Sequence, residues 1–550
     1  MTGSIPGRQT VARATAVVMA ATLVSKLLGF GREASLAAVF GASRVTDAYL
    51  VAAVIPTLLF AVVGAAITTV GIPVLSDYLH QKEKQAHLTS LVWSSFHAVA
   101  GLLLLLCLVA LPFAPWLVKL LAPGFGPEQA ALTTHLVRIM LPATLFMGLA
   151  GWAQGVLNAH KHFAAPAAVG IPYNLILIAA IFLSGALWGI AVVAWATVLA
   201  IASQFFIQVP VLVRIGIRYR PVFDPRHPGL KRMAVLVLPV LVGVGAGQVN
   251  LVVDRILASG LAEGSISALN YAFKVLQLPW GLFAIPLVTV LYPSLAEHSA
   301  VGDLEGLRER LARGLGALAF LVLPLAVGII VLRRELVVFL YQRGAFDAVD
   351  AQMTAFALLF YTLGLLFIVW RDYLARAFYA LQNTATPMWT GLVTVGVNIG
   401  LNLILVRYLA HGGLALATSI AALVGCVLLL VLLRRCLGHI GGRYTVRETG
   451  KVAVAAVLMG AAVWWINGFG LALLGWPALG DAVTGLLGGG GLANFAVLGL
   501  RLVFLICAGA AVYAGACGVL RVREMSYVMG LISVIFRGDA QPTGSSKHRV

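Results

Sequence analysis

Long apolar runs dominate this sequence and decide its fold class. Hydrophobic residues make up 61% of the 550 residues and charged residues only 11%, whereas soluble domains are typically about 25% charged. A helix needs about 20 mainly apolar residues to cross a bilayer. The sequence therefore predicts an all-α integral membrane protein with about 14 transmembrane helices. The predicted spans are residues 11–37, 46–76, 88–111, 131–157, 164–183, 187–214, 233–259, 266–296, 311–332, 351–381, 387–408, 412–434, 451–471 and 494–520.

The basic residues predict the orientation of the chain. If the N-terminus is inside, the cytoplasmic segments hold 24 Lys and Arg residues and the opposite side holds six. Cytoplasmic loops carry such an excess, so both termini are predicted to be cytoplasmic. The net charge of +18 is thus explained by loops, and no nucleic-acid partner is expected. The six outer cations are Arg44, Lys119, Arg333, Arg334, Arg343 and Arg407.

The chain also repeats itself at an offset of about 220 residues. Gly155–Pro166 resembles Arg376–Pro387, and Ile72–Asp77 resembles Tyr292–Glu297. The offset covers an even number of spans, so the two copies share one orientation, and two such lobes around a central cavity are typical of transporters. The predicted domains are an N-terminal lobe at 1–220, a C-terminal lobe at 221–440, two extra helices at 441–525 and a cytoplasmic tail at 526–550.

A few charges lie inside the predicted spans, where an ionisable group normally faces a cavity or a partner. Lys26 and Arg32 lie in the first span, and Lys274 lies in the eighth. In the repeat, the eighth span corresponds to the second. Arg binds phosphate in a bidentate manner and Lys binds it as a point charge. These cations favour a phosphate or carboxylate substrate. Alternatively, Glu33 and Asp47 neutralise them as structural pairs.

A second polar set could bind a small cation. Asp254 lies in the seventh span, Asn398 and Asn402 share one face of the eleventh, and Thr418 lies in the twelfth. Their oxygens could hold the ion of an ion-coupled transporter. The alternative is an interhelical hydrogen-bond cluster, with Asp254 paired to Arg255.

The sequence carries no pattern that predicts catalysis. It has no phosphate-binding loop, no H-E-x-x-H and no Cys/His metal spacing. We therefore expect no enzymatic activity and no cofactor. Without an ATP site, an ion gradient or the membrane potential would have to power active transport.

Several motifs match one family of transporters. They are Ser25–Glu33, Thr46–Tyr49, Ile266–Lys274, Arg376–Pro387 and Gly413–Ser419. In these segments, and collinearly over roughly residues 10–435, the chain resembles the MurJ (MviN-type) lipid II flippases, within the superfamily of multidrug, oligosaccharidyl-lipid and polysaccharide exporters.

The resemblance implies a function in cell-wall synthesis. Such a protein flips the lipid-linked peptidoglycan precursor, lipid II, from the inner to the outer leaflet of the bacterial cytoplasmic membrane by alternating access. The resemblance also implies that the last two helices form a groove for the lipid tail. In the cationic cavity, Arg32 matches a family Arg, Lys26 and Lys274 stand where Arg is usual, Glu33 replaces an Asp, and Asp47 matches one.

The resemblance also places a sodium site. It would comprise Asp254, Asn398, Asn402 and Thr418 with the carbonyl of Leu414, although the family has an Asp where Asn402 stands. Either a coupling sodium ion or the membrane potential would then power transport, and the sequence leaves both open.

One family feature is missing from the second span. After Leu59 the family usually carries an Arg pair, whereas this chain continues with uncharged residues. Either fewer cations hold the substrate, or the substrate differs. The alternatives are therefore an exporter of another polyprenyl-linked saccharide, or a non-transporting membrane scaffold for wall enzymes. Cell-wall synthesis enzymes are also candidate partners.

Overall fold

The structure is a computed structural model that describes residues 8–81, 87–184, 188–471, 476, 491–526, 528 and 530. Within these residues it is helical and contains no strand. Ten of the described helices are long and apolar enough to cross a membrane, or eleven if one bent pair counts as a single span. The predicted all-α membrane fold is confirmed, and fourteen spans remain a prediction.

The helices of the first half follow the predicted spans closely. Proline starts the two helices at Pro127 and Pro142, where its missing N–H leaves no intrahelical bond unmade. The helices are α1 (Arg8–Phe40), α2 (Arg44–His80), α3 (Leu88–Leu121), α4 (Pro127–Met140), α5 (Pro142–Ala159), α6 (Ala164–Ala168), α7 (Gly170–Ser184), α8 (Ile190–Phe206) and α9 (Val209–Arg214).

The helices of the second half include two short π-helical segments, Trp280–Ala284 and Ile466–Gly470. The predicted spans 387–408 and 412–434 correspond to the two helical parts of Ala385–Leu437, which are separated by a kink at Ala410, where φ is 47°. The helices are α10 (Pro228–Ser259), α11 (Ser265–Pro279), α12 (Ile285–Ala300), α13 (Leu304–Tyr341), α14 (Ala348–Leu363), α15 (Leu365–Ala380), α16 (Ala385–Leu437), α17 (Gly442–Trp465) and α18 (Gly491–Val519).

The chain forms two compact units. The first combines the predicted N-terminal lobe with parts of the C-terminal lobe, and the second combines the rest of the C-terminal lobe with the two extra helices. The first unit contains residues 1–271, 340–354 and 398–414. Within it, α1 packs against α7, and α2 packs against α5. An aromatic core supports these helices, with the buried Trp152 donating from Nε1 to Ser95 Oγ at 3.1 Å. The α1–α7 contact brings polar residues of the two helices together.

The second unit contains residues 272–339, 355–397 and 415–550. In it, α17 and α18 pack together against apolar side chains of α13. A polar chain joins the same three helices, because Arg501 donates to the Asn467 side chain at 2.8 Å and Asn467 donates to Glu335 at 2.7 Å. Arg501 also reaches the Asn467 carbonyl, at 3.0 Å, in the π-helical segment. The lipid-tail groove predicted for the two extra helices at 441–525 stays a prediction. Residues 472–475 and 477–490 and most of the tail 526–550 lie outside the described residues.

Candidate functional site

Arg32 lies in α1 and is held in place from three sides. Its guanidinium pairs with Glu33 at 2.5 Å and donates to Asn174 Oδ1 at 3.3 Å. It also lies over the ring of Tyr173, 5.2 Å from the centroid. A guanidinium has more N–H donors than these two acceptors use. Arg32 is therefore oriented and still able to bind a further anion.

Glu33 is buried and links α1 to α11. Only 7% of its side chain is exposed, and its second oxygen accepts from Asn270 Nδ2 at 3.3 Å. Asn270 and Lys274 are four residues apart on α11 and share one helix face. Burial of a carboxylate is costly unless it is paired, so Arg32 and Asn270 stabilise its charge.

Asp47, the second predicted carboxylate of the site, is buried against α11. It is 3% exposed, and its oxygens accept from the backbone N–H groups of Gly264 and Ser267 at 2.9 and 2.8 Å and from Ser267 Oγ at 2.5 Å. These N–H groups belong to the N-terminus of α11, where a carboxylate satisfies unpaired donors and favours the helix dipole. Asp47 thus joins α2 to α11 as a helix cap.

Close backbone contacts surround this cap. We call residues 38–47, 264–267 and 344–350 the outer closure, since they lie on the predicted outer side. Ala345 donates its N–H to the Ala38 carbonyl at 2.7 Å, and Ala42 donates its N–H to Asp350 at 2.9 Å. A Cβ on Gly264, which has φ +79°, would collide with the Ala42 carbonyl. The outer closure therefore depends on a backbone contact at Gly264 that is too close to accommodate a side chain at that position.

The other two residues predicted to bind substrate are Lys26 and Lys274. Lys26 is exposed on α1 in the first unit, six residues before Arg32. Lys274 is half-buried on α11 in the second unit. The uncharged stretch after Leu59 includes side chains at 62–70 that lie outside the described part of the chain.

Three residues of the predicted ion site meet in the first unit. Asn402 Nδ2 donates to Asp254 Oδ1 at 2.7 Å and to Asn398 Oδ1 at 2.8 Å. Oδ1 of Asn402 is buried and accepts no hydrogen bond from another described residue. Leu414 is buried in the same unit, whereas Thr418 is half-buried in the second unit.

This arrangement fits a small cation if one amide is reversed. The O and N of an amide are assigned from their hydrogen bonds, and turning the Asn402 amide would direct its unpaired oxygen toward the oxygens of Asp254 and Asn398. Three oxygens would then converge, as a hard cation requires. In the present orientation the same residues form an interhelical hydrogen-bond cluster.

Asn174, Asn270 and Ser267 belong to the site, although the sequence did not single them out. Each is a neutral polar residue in an apolar run, a pattern that more often indicates interhelical hydrogen bonding. Asn270 and Ser267 do lie inside the motif Ile266–Lys274. That motif is therefore the sequence feature from which their role could have been predicted.

Comparison with known proteins agrees with the motifs. The family model described as lipid II flippase MurJ matches residues 36–475. A protein named probable lipid II flippase MurJ from Buchnera aphidicola is 33% identical over 413 residues, which cover 74% of this chain and 81% of that protein. The lipid II flippase MurJ of Burkholderia cenocepacia is 32% identical over 432 residues, covering 77% and 84% of the two chains.

Solved structures show the same architecture. A structure titled lipid II flippase MurJ, inward closed conformation, superposes with a TM-score of 0.74 at 26% identity and covers 91% of this chain and 98% of that one. An inward-facing multidrug resistance transporter of the MATE family reaches a TM-score of 0.63 at 13% identity, over 78% and 98% of the two chains, which shows a shared fold alone. By its motifs, its fold and the extent of these matches, the chain belongs to the lipid II flippase MurJ family.

Proposed function

We propose that this protein flips lipid II from the inner to the outer leaflet of the cytoplasmic membrane by alternating access. The observation that carries the proposal is Arg32, a guanidinium held within a membrane helix by Glu33, Asn174 and Tyr173 with donors to spare. The diphosphate of a lipid-linked precursor is the ligand that such a cation favours. Family membership supports the specific substrate.

Alternating access requires one side to close while the other opens. The outer closure supplies a closed state on the predicted outer side, because Asp47 caps α11 and backbone contacts join α1 to the segment at 344–350. Substrate would then enter from the cytoplasmic side, and both termini would lie there. This role is transport rather than chemical conversion.

Complementation tests the proposal. In cells depleted of their own lipid II flippase, the wild-type protein should restore growth, and Lys274→Ala should lower lipid II translocation in reconstituted vesicles by about 10- to 100-fold. Loss of one charge-assisted bond to phosphate costs about 1.5–3 kcal/mol, which corresponds to that range.

Lys231→Ala is the control, since Lys231 is an exposed cation at the start of α10. Growth without lipid II translocation would favour the scaffold alternative. Translocation of another polyprenyl-linked saccharide in preference to lipid II would favour the other exporter.

We further propose that sodium binds at Asp254, Asn398 and Asn402, with Leu414 and Thr418 as the remaining candidates from the family resemblance. The unpaired Asn402 oxygen supports this. A ligand that binds only the folded state raises its stability, by about 2.7 kcal/mol at 100 times its Kd. The purified protein should therefore melt at a higher temperature in NaCl than in KCl.

Asp254→Asn should abolish the sodium-specific stabilisation, because it removes the only carboxylate of the set. Glu305→Gln removes an exposed carboxylate at the start of α13 and should leave it unchanged. Equal melting temperatures of the wild type in the two salts would identify the three residues as an interhelical hydrogen-bond cluster and leave the membrane potential as the driving force.

A further inference from the structure

A cavity lies between the end of α3 and the start of α4, in the first unit and on the predicted outer side. Its volume is about 600 Å³, and small residues such as Ala130 and Ala131 leave room for it. Three basic side chains line it: Lys119, in the last turn of α3, and His135 and Arg138, on α4. The cavity is remote in sequence from Arg32 and the outer closure.

The three basic groups converge on one region. His135 and Arg138 are three residues apart and share a face of α4. Helical side chains tilt toward the N-terminus of their helix, so both extend toward Pro127, where α4 follows the end of α3. The long Arg138 side chain can thus carry its guanidinium toward Lys119 and the membrane surface.

Among the described residues that line this cavity there is no Asp or Glu. All three basic side chains are exposed, and none makes a hydrogen bond or ion pair with another described residue. Three other cations of the predicted outer side have described partners. Arg44 pairs with Glu263, and Arg333 and Arg343 donate to the carbonyls of Ile330 and Leu340.

Helix dipoles explain only part of this pattern. A cation in the last turn stabilises a helix dipole, which would suffice for Lys119 on α3 and for Arg138 on α4 separately. It does not explain why both line one cavity together with His135. A shared anionic ligand explains the convergence, because each group can donate to a phosphate oxygen.

The surroundings indicate that the ligand has an apolar tail. Phe113, Trp116 and Leu120 on α3 are 57%, 62% and 51% exposed. Exposed apolar side chains of a membrane helix face lipid, and Trp is enriched at the membrane surface. A phosphate bound here would therefore lie next to acyl chains.

We propose that this cavity is a binding site for the phosphodiester headgroup of an anionic phospholipid in the outer leaflet, such as phosphatidylglycerol. Lys119 and Arg138 hold the phosphate oxygens, and His135 provides a further donor. The bound lipid neutralises cations that the protein leaves uncompensated at the membrane surface. The inference does not depend on the proposed flipping of lipid II.

Lipid titration of the purified full-length protein in detergent, read by native mass spectrometry, tests the site. The wild type should bind phosphatidylglycerol at least about tenfold more tightly than phosphatidylcholine, and Lys119→Gln with Arg138→Gln should remove about that factor. The double variant Arg218→Gln with Arg220→Gln makes the same charge change on an exposed loop and should change binding by less than about twofold. Lys119→Arg with Arg138→Lys should retain binding, and the melting temperature of each variant reports its folding.

Four outcomes would overturn the proposal. Equal affinity of the wild type for the two phospholipids would exclude headgroup selection, and equal losses in both Gln double variants would show a general charge effect. If inorganic phosphate competes as well as the phospholipid, or if a polyprenyl diphosphate binds more tightly and depends on Lys119 and Arg138, the cavity serves a different phosphate compound.

Discussion

Replacing Gly264 with alanine is expected to open the outer closure and stop transport. The new Cβ would collide with the Ala42 carbonyl, and the φ of +79° disfavours any L side chain. Overpacking and a left-handed backbone together cost about 2–5 kcal/mol, so the closed-to-open equilibrium constant should fall at least about 30-fold. The neighbouring Ser265 is fully buried in the closed state and provides a reporter position.

A membrane-impermeant maleimide measures the opening. Ser265→Cys is introduced after the five native cysteines, all free thiols, have been replaced. Labelling from the outside should be slow in this background and fast when Gly264→Ala is added. Complementation of flippase-depleted cells should be lost in parallel.

Gly302→Ala is the matched control for this substitution. Gly302 has a similar φ of +73°, but a Cβ there would meet no atom within 4 Å. The Gly302→Ala substitution therefore costs about 1–2 kcal/mol through its left-handed backbone alone, without a collision. It should leave maleimide labelling of the Ser265→Cys reporter unchanged. If Gly264→Ala labels as slowly as its parent, the contact with Ala42 does not maintain the closure.

Replacing Arg32 with glutamine is expected to abolish lipid II translocation and to lower the melting temperature. The substitution removes the oriented guanidinium and leaves Glu33, only 7% exposed, with Asn270 as its one remaining side-chain partner among the described residues. Breaking a buried ion pair by removing one partner costs about 3–5 kcal/mol. Both translocation in vesicles and thermal unfolding in detergent should therefore change.

The double variant Arg32→Gln with Glu33→Gln separates binding from stability. It removes both charges, so the melting temperature should recover while translocation remains lost. Arg32→Lys should give partial translocation, since Lys keeps the charge but loses the planar donor geometry. If the double variant transports like the wild type, Arg32 serves only to neutralise Glu33, as the structural-pair alternative holds.

Apolar run length was sufficient to predict most of the helices, because lipid forces each spanning segment to satisfy its own backbone hydrogen bonds. The run at 88–111 became α3, which continues to Leu121 through Pro112 and Pro115. The predicted spans 387–408 and 412–434 leave a gap at 409–411, and the helix Ala385–Leu437 is broken at Ala410 within that gap. A left-handed φ at an alanine arises from the packing around it rather than from its own preference.

The site was predictable where its partners are close in sequence and not where they are distant. Arg32 and Glu33 are adjacent, so their pairing could be weighed from the sequence alone. Asn174 lies 142 residues after its partner Arg32, and Asn270 lies 237 residues after its partner Glu33. No local pattern connects residues so far apart. The sequence offers Asp47 as a partner for cations. In the structure its oxygens accept hydrogen bonds from backbone N–H groups at the start of α11.

The long apolar runs by themselves determined that this chain is a helical membrane protein, since the length and polarity of a segment fix its free energy in lipid. The motifs further indicated its family, which the comparisons confirmed. Only the tertiary structure decided which donors surround Arg32, Glu33 and Asp47, and that three basic side chains without a described partner line one cavity on the predicted outer side. Those features depend on distances between helices, and a one-dimensional pattern carries no such distances.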